Sequence, residues 1–159
     1  MNLDVEVQVA LETAGLPTAA ELRQWVAAAL AGAGYTQAAE VLIRLVNEAE
    51  SASLNQTYRH KPEPTNVLSF PCEAPAGVDL RLLGDIVLCA PVVMREAVEQ
   101  NKPFPAHWAH LVIHGVLHLL GYEHQDPGQA RVMENLEIRI LAGLGYPDPY
   151  AEVAAGNEQ

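Results

Sequence analysis

At 159 residues and 17.2 kDa, half of them apolar and 6% aromatic, the chain has the material for one domain with a real hydrophobic core. Nine basic against 20 acidic residues give a net charge of -11, which argues against generic nucleic-acid binding, because phosphate contacts need local positive charge. No apolar run approaches the roughly 18 to 20 residues of a membrane span, and the acidic opening MNLDVEVQVALE is unlike a basic signal peptide, so a soluble cytoplasmic protein without membrane association is expected.

In chain order, Leu3, Val5, Val7, Val9 and Leu11 alternate along LDVEVQVALE and predict a half-buried strand. Beyond Gly15 and Pro17, Thr18 and Glu21 make a capping-box pattern for a helix with an apolar face of Leu22, Trp25, Val26, Ala29 and Leu30, ended by AGAGY. Val41, Ile43 and Leu45 alternate in a second strand, and Asn47 is placed to cap a short helix running to about Tyr58. Pro62 and Pro64 then impose a loop that feeds a strand from Asn66 to Phe70, followed by a Pro/Gly-rich loop over 71–79.

GDIVLCA reads as a further apolar strand, and Pro91 suits the first turn of the helix after it. Pro105 opens a helix from about Ala106 to Leu120, stopped by Gly121 in the C-terminal glycine position. A last helix, about 128–143, carries Val132, Met133, Leu136, Ile140 and Leu141 on one side, and residues 151–159 read as a frayed tail. Cys72 and Cys89 form no CxxC pair and are expected to be buried, reduced thiols. The order of elements predicts one α+β domain over residues 1–150, a mixed sheet of about four strands packed with about five helices.

The chemistry concentrates in HGVLHLLGYEH. His114 and His118 stand four apart on the predicted helix and share a face, while Gly121 lets the chain turn so that His124 supplies a third nitrogen. Three imidazoles with an open fourth position suit a catalytic zinc site at the end of a central helix, with nickel or another divalent metal an alternative. The spacing is also that of the HExxHxxGxxH peptidases, but the position after the first histidine is Gly115 rather than the glutamate that takes the proton from water. That demotes a zinc peptidase to an alternative. His107 and His110 extend the histidine face as candidate supporting or substrate-contacting groups, and Glu123 beside the third ligand is a candidate orienting carboxylate.

HGVLHLLGYEH, taken with LNQTYRHKPEPTNVLSFP, LLGDIVL, AHWAHLVIHG and LGYPDPY, resembles the YbeY family of single-domain bacterial endoribonucleases. The resemblance runs from about Asn47 to Tyr150, with Glu123 where the family usually has aspartate and Lys61-Pro62 where it often has Lys-Asp. It implies zinc on His114, His118 and His124, cleavage of single-stranded RNA with no DNA substrate, maturation of the 3′ end of 16S rRNA, and contact with the small ribosomal subunit or its associated factors. It also makes Arg59 a catalytic candidate alongside His114. Physically, Arg59 sits in a small cationic cluster with His60 and Lys61, beside the aromatic Tyr58. Asn66, Ser69 and Asp85, polar residues at strand edges that match the family, are candidate substrate or supporting contacts. A non-catalytic alternative is a ribosome-associated binding factor in which the metal only pins a helix.

Overall fold

The computed structural model describes residues 2–73 and 81–151. The loop expected over 71–79 is outside the described residues from 74 on, as is the expected tail from 152 on. The elements run β1 (Leu3–Val9), α1 (Ala19–Gly32), β2 (Ala39–Val46), α2 (Glu48–Arg59), β3 (Val67–Pro71), β4 (Leu82–Cys89), α3 (Ala90–Glu99), α4 (Phe104–Leu119) and α5 (Pro127–Gly143). They form a single α+β domain around a four-stranded mixed sheet of order β1-β2-β4-β3, with β1, β2 and β4 parallel and β3 antiparallel at the edge.

Period-two alternation decides which helices cover which face. Ala39, Val41, Ile43 and Leu45 of β2, with Ile86 and Leu88 of β4, turn toward α1, α4 and α5 and build the main core with Trp25, Leu30, Trp108 and Leu117. Val46, Val87, Cys89 and Leu68 point the other way into a smaller cluster joined by Leu54 of α2 and Phe70. Truncating a fully buried tryptophan in such a core costs about 3–5 kcal/mol, so Trp25 and Trp108 are principal anchors of the three-helix layer.

Local signals set the helix ends. Thr18 and Glu21 form the reciprocal capping box, and the Asn47 side chain accepts from Glu50 N–H at 2.9 Å. At Gly84, φ is +148° and an added Cβ would fall 2.3 Å from the Phe70 carbonyl oxygen, which requires glycine where the register of β2 and β4 slips.

Several boundaries and burials differ from expectation. β1 ends at Val9, so Leu11 packs on the core from outside the strand. β3 is displaced by one residue, and α4 starts at Phe104. Val132 is 58% exposed because the buried stripe of α5 is Met133, Leu136, Glu137, Ile140 and Leu141, one position round the helix. Cys89 is buried, and burial pushes its thiol pKa up, but Cys72 is exposed because it lies just past the end of edge strand β3. Among the described residues, no helix is long and apolar enough to cross a membrane.

Candidate metal centre

After its first two residues, α4 is buried everywhere except at His110, His114 and His118. The open stripe of the central helix is therefore entirely histidine. The helix ends in a Schellman turn: Gly121 N–H donates to the His118 carbonyl, Tyr122 N–H donates to the Leu117 carbonyl, and Gly121 takes φ +102°. The reversal brings His124 back, with ring centroids 5.5 Å from His114 and 5.0 Å from His118, while His114 and His118 are 4.7 Å apart. One ligand atom from each of the three histidines falls within 4.8 Å of the others. Burial lowers the His118 pKa, reinforced by the neighbouring imidazoles, and favours the neutral ring a metal needs.

Glu137 of α5, fully buried, stands behind this group. Its Oε2 lies 2.5 Å from His114 Nδ1, and its Oε1 receives His110 Nε2 at 3.0 Å together with the Tyr150 hydroxyl. Burial alone would raise the Glu137 pKa, but the hydrogen bonds from His110 and His114 outweigh it and hold it at about 2. An ionised carboxylate only accepts, so His114 carries its proton on Nδ1 and keeps the Nε2 lone pair for a metal. The donor set thus fits a zinc-type ion: imidazoles from the end of one helix and the loop after it, one of them oriented by a buried carboxylate on its Nδ1. Burial also lowers the His110 pKa and, with the Glu137 hydrogen bond, raises that of the Tyr150 hydroxyl.

The histidines open onto a groove of about 680 Å³ that is also lined by Tyr58, Arg59, Ser69, Phe70, Glu123 and Gln125. Arg59 is exposed at the last turn of α2, where His60 takes a left-handed conformation and ends the helix. Buried Ser51 and Asn55 tie the following loop to α2: Ser51 exchanges hydrogen bonds with the Thr65 backbone, and Asn55 donates to the Glu63 carbonyl at 2.8 Å. Tyr58, 61% exposed, meets Phe70 edge-on at 5.0 Å. β3 also lines this groove, and its outer edge pairs with no other strand among the described residues. Because Cys89 N–H pairs with the Asn66 carbonyl and Cys72 N–H with that of Leu83, Val67 and Ser69 turn their backbone groups outward.

The structure gathers most of the sequence candidates and separates some. Ser69 lies in the groove, its hydroxyl 3.4 Å from the Gly115 carbonyl. Asn66 also lines it, but its amide donates to Glu96, whose carboxylate reaches His107 Nε2 at 2.9 Å. His107, 3% exposed, is thus linked through Glu96 to Asn66, the residue before β3. Glu123 faces the groove, His110 serves Glu137, and Asp85 lies outside the groove lining, on β4 opposite Phe70. Sequence reasoning missed Glu137 and Tyr150. The available signal was a lone carboxylate interrupting the apolar stripe between Leu136 and Ile140.

A family model described as Endoribonuclease YbeY matches residues 7–145. The chain belongs to the YbeY family. The Endoribonuclease YbeY of Alkalilimnicola ehrlichii is 60% identical over 93% of this chain and 91% of its own length. That of Nitrosococcus oceani is 54% identical over 96% of this chain and its full length. In the solved structures, a Thermotoga maritima protein determined in solution superposes with a TM-score of 0.55 at 25% identity, covering 91% of this chain and 99% of that one. The YbeY match includes the three groove histidines and Glu137 and stops short of Tyr150.

Proposed function

We propose that the protein is a zinc-dependent endoribonuclease that cuts single-stranded RNA in the cytoplasm, matures the 3′ end of 16S rRNA and takes part in ribosome quality control. The reaction class comes from the names of relatives 54–60% identical to it. One observation carries the assignment to residues: the three-histidine group and Arg59 open onto the same groove.

His114, His118 and His124 would hold Zn2+, and the same nitrogen donors accept Ni2+ or another divalent ion. When bound, the ion lowers the pKa of water toward about 7 and polarises a phosphoryl oxygen. Arg59 grips two phosphate oxygens through parallel hydrogen bonds and neutralises the charge that develops as the phosphodiester breaks. The outward N–H groups of Val67 and Ser69 offer fixed donors to the RNA backbone, and Tyr58 with Phe70 offers ring surface to an unstacked base. With a net charge of -11, affinity for naked RNA is weak and falls with salt, so the small ribosomal subunit or its factors supply further contacts.

The test is elemental analysis of the purified protein, coupled to cleavage of single-stranded RNA with and without chelator and with zinc added back. About one zinc per chain and loss of cleavage on chelation are expected. Undiminished cleavage by metal-free protein, or by folded His114→Ala, would overturn the reading.

A further inference from the structure

Glu137 is the only fully buried carboxylate among the described residues, and its hydrogen-bond partners are His114, His110 and Tyr150. It caps no helix and pairs with no lysine or arginine among them. A purely packing role would be served as well by an apolar side chain of similar volume, since desolvating a charge opposes folding. What the carboxylate adds is a direction for the His114 ring.

Tyr150 reaches this group from beyond α5. The chain turns at Gly145, where Tyr146 N–H returns to the Leu141 carbonyl, and Lys102 Nζ holds the Pro149 carbonyl at 3.0 Å. The Tyr150 ring then packs edge-on against His110, with centroids 5.3 Å apart, while its hydroxyl donates to Glu137 Oε1.

We propose that Glu137 and Tyr150 are positioning residues that set how tightly the three-histidine centre holds its metal, with Tyr150 making the C-terminal segment part of that centre. This rests on the reading of His114, His118 and His124 as ligands. Glu137 fixes the His114 tautomer and ring angle, and Tyr150 with His110 holds the carboxylate so that Oε2 stays aimed at His114. A partner of this kind is worth about 10- to 100-fold in metal affinity.

The test measures Zn2+ affinity by chelator competition for the full chain, Glu137→Gln and Tyr150→Phe. Circular dichroism follows the fold, and long-range proton–nitrogen spectra follow the His114 ring without metal. Glu137→Gln should weaken zinc binding about 10- to 100-fold and replace the single Nδ1–H form of His114 by a tautomer mixture. Tyr150→Phe, which removes one hydroxyl from a part-exposed ring, should keep the fold and weaken binding about threefold to tenfold. Folded Glu137→Gln with wild-type affinity and tautomer would overturn the proposal. If that variant does not fold, unchanged affinity in Tyr150→Phe overturns it. A wild-type chain that binds no zinc refutes the ligand reading itself, so the two failures are distinguishable.

Discussion

Gly115 sits so close to Ile86 that a Cβ placed on it would lie 3.0 Å from Ile86 Cγ2, with the Ser69 hydroxyl at 3.2 Å. The position that carries the proton-taking glutamate in HExxH peptidases is turned onto the sheet, against Ile86 of β4 and Ser69 of β3. Gly115→Glu is therefore expected to destabilise the fold by about 3 kcal/mol or more, through a crowded carboxylate with no partner, and to create no peptidase. Gly115→Ala should stay within about 2 kcal/mol of wild type, because gained helix propensity offsets part of the crowding. Denaturant unfolding of both variants checks this, and a stable Gly115→Glu protein would contradict it.

Arg59 is exposed and ends its helix without a charged partner among the described residues. Replacing it with alanine should leave stability within about 0.5 kcal/mol while lowering cleavage of single-stranded RNA by about 100-fold or more. Arg59→Lys should recover only part, since lysine cannot grip two oxygens in parallel. Turnover of a labelled oligoribonucleotide at fixed zinc gives the comparison, and an Arg59→Ala enzyme of normal rate would remove Arg59 from the mechanism.

Tyr58 presents an exposed ring braced by Phe70 beside the same groove. Stacking on such a ring is worth about 1–3 kcal/mol per base, so Tyr58→Ala should weaken binding of single-stranded RNA about 5- to 100-fold. Tyr58→Phe should bind nearly as wild type. Equilibrium binding at two salt concentrations separates this loss from the electrostatic part, and equal affinity for all three proteins would exclude stacking at this wall.

Which of these features were legible in sequence follows from how local they are. The capping box of Thr18 and Glu21, the Asn47 cap and the Gly121 turn are each written within a few consecutive residues, and all are found. The three groove histidines were readable for the same reason, since one helix end and one turn set their spacing. Glu137 was not, because its meaning depends on the packing of α5 against α4 and its partner His114 lies 23 positions away. Likewise the insertion of β4 between β2 and β3 is a long-range pairing that no local pattern announces. Val132 and Cys72 show a smaller version of this. Val132 lies one step round its helix from buried Met133 and Cys72 lies just past the end of β3, and hydrophobic character alone does not say on which side of such a boundary a residue falls.

Stability of the metal-free protein should fall as pH falls, in two stages. The pKa values of His110 and His118 are lowered from 6.5 by burial, so the unfolded chain takes up protons first and stability is lost below about pH 6.5. Glu137, held at about 2 against 4.5, contributes stability that is fully present above 4.5 and is lost as pH drops toward 2. Melting temperature against pH should show both slopes in wild type, and Glu137→Gln should flatten the lower one. A wild-type melting temperature constant from pH 7 to pH 4 would contradict the assignment.

The all-histidine opening in the surface of α4 has a consequence for how the chain can vary. One inserted or deleted residue rotates everything beyond it by about 100°, which would swing the imidazoles into the core and apolar side chains into the groove together. The rotational phase of this helix is thus set twice, by packing and by chemistry. Length variation among relatives should accordingly be found in the connections around α4 and not within it.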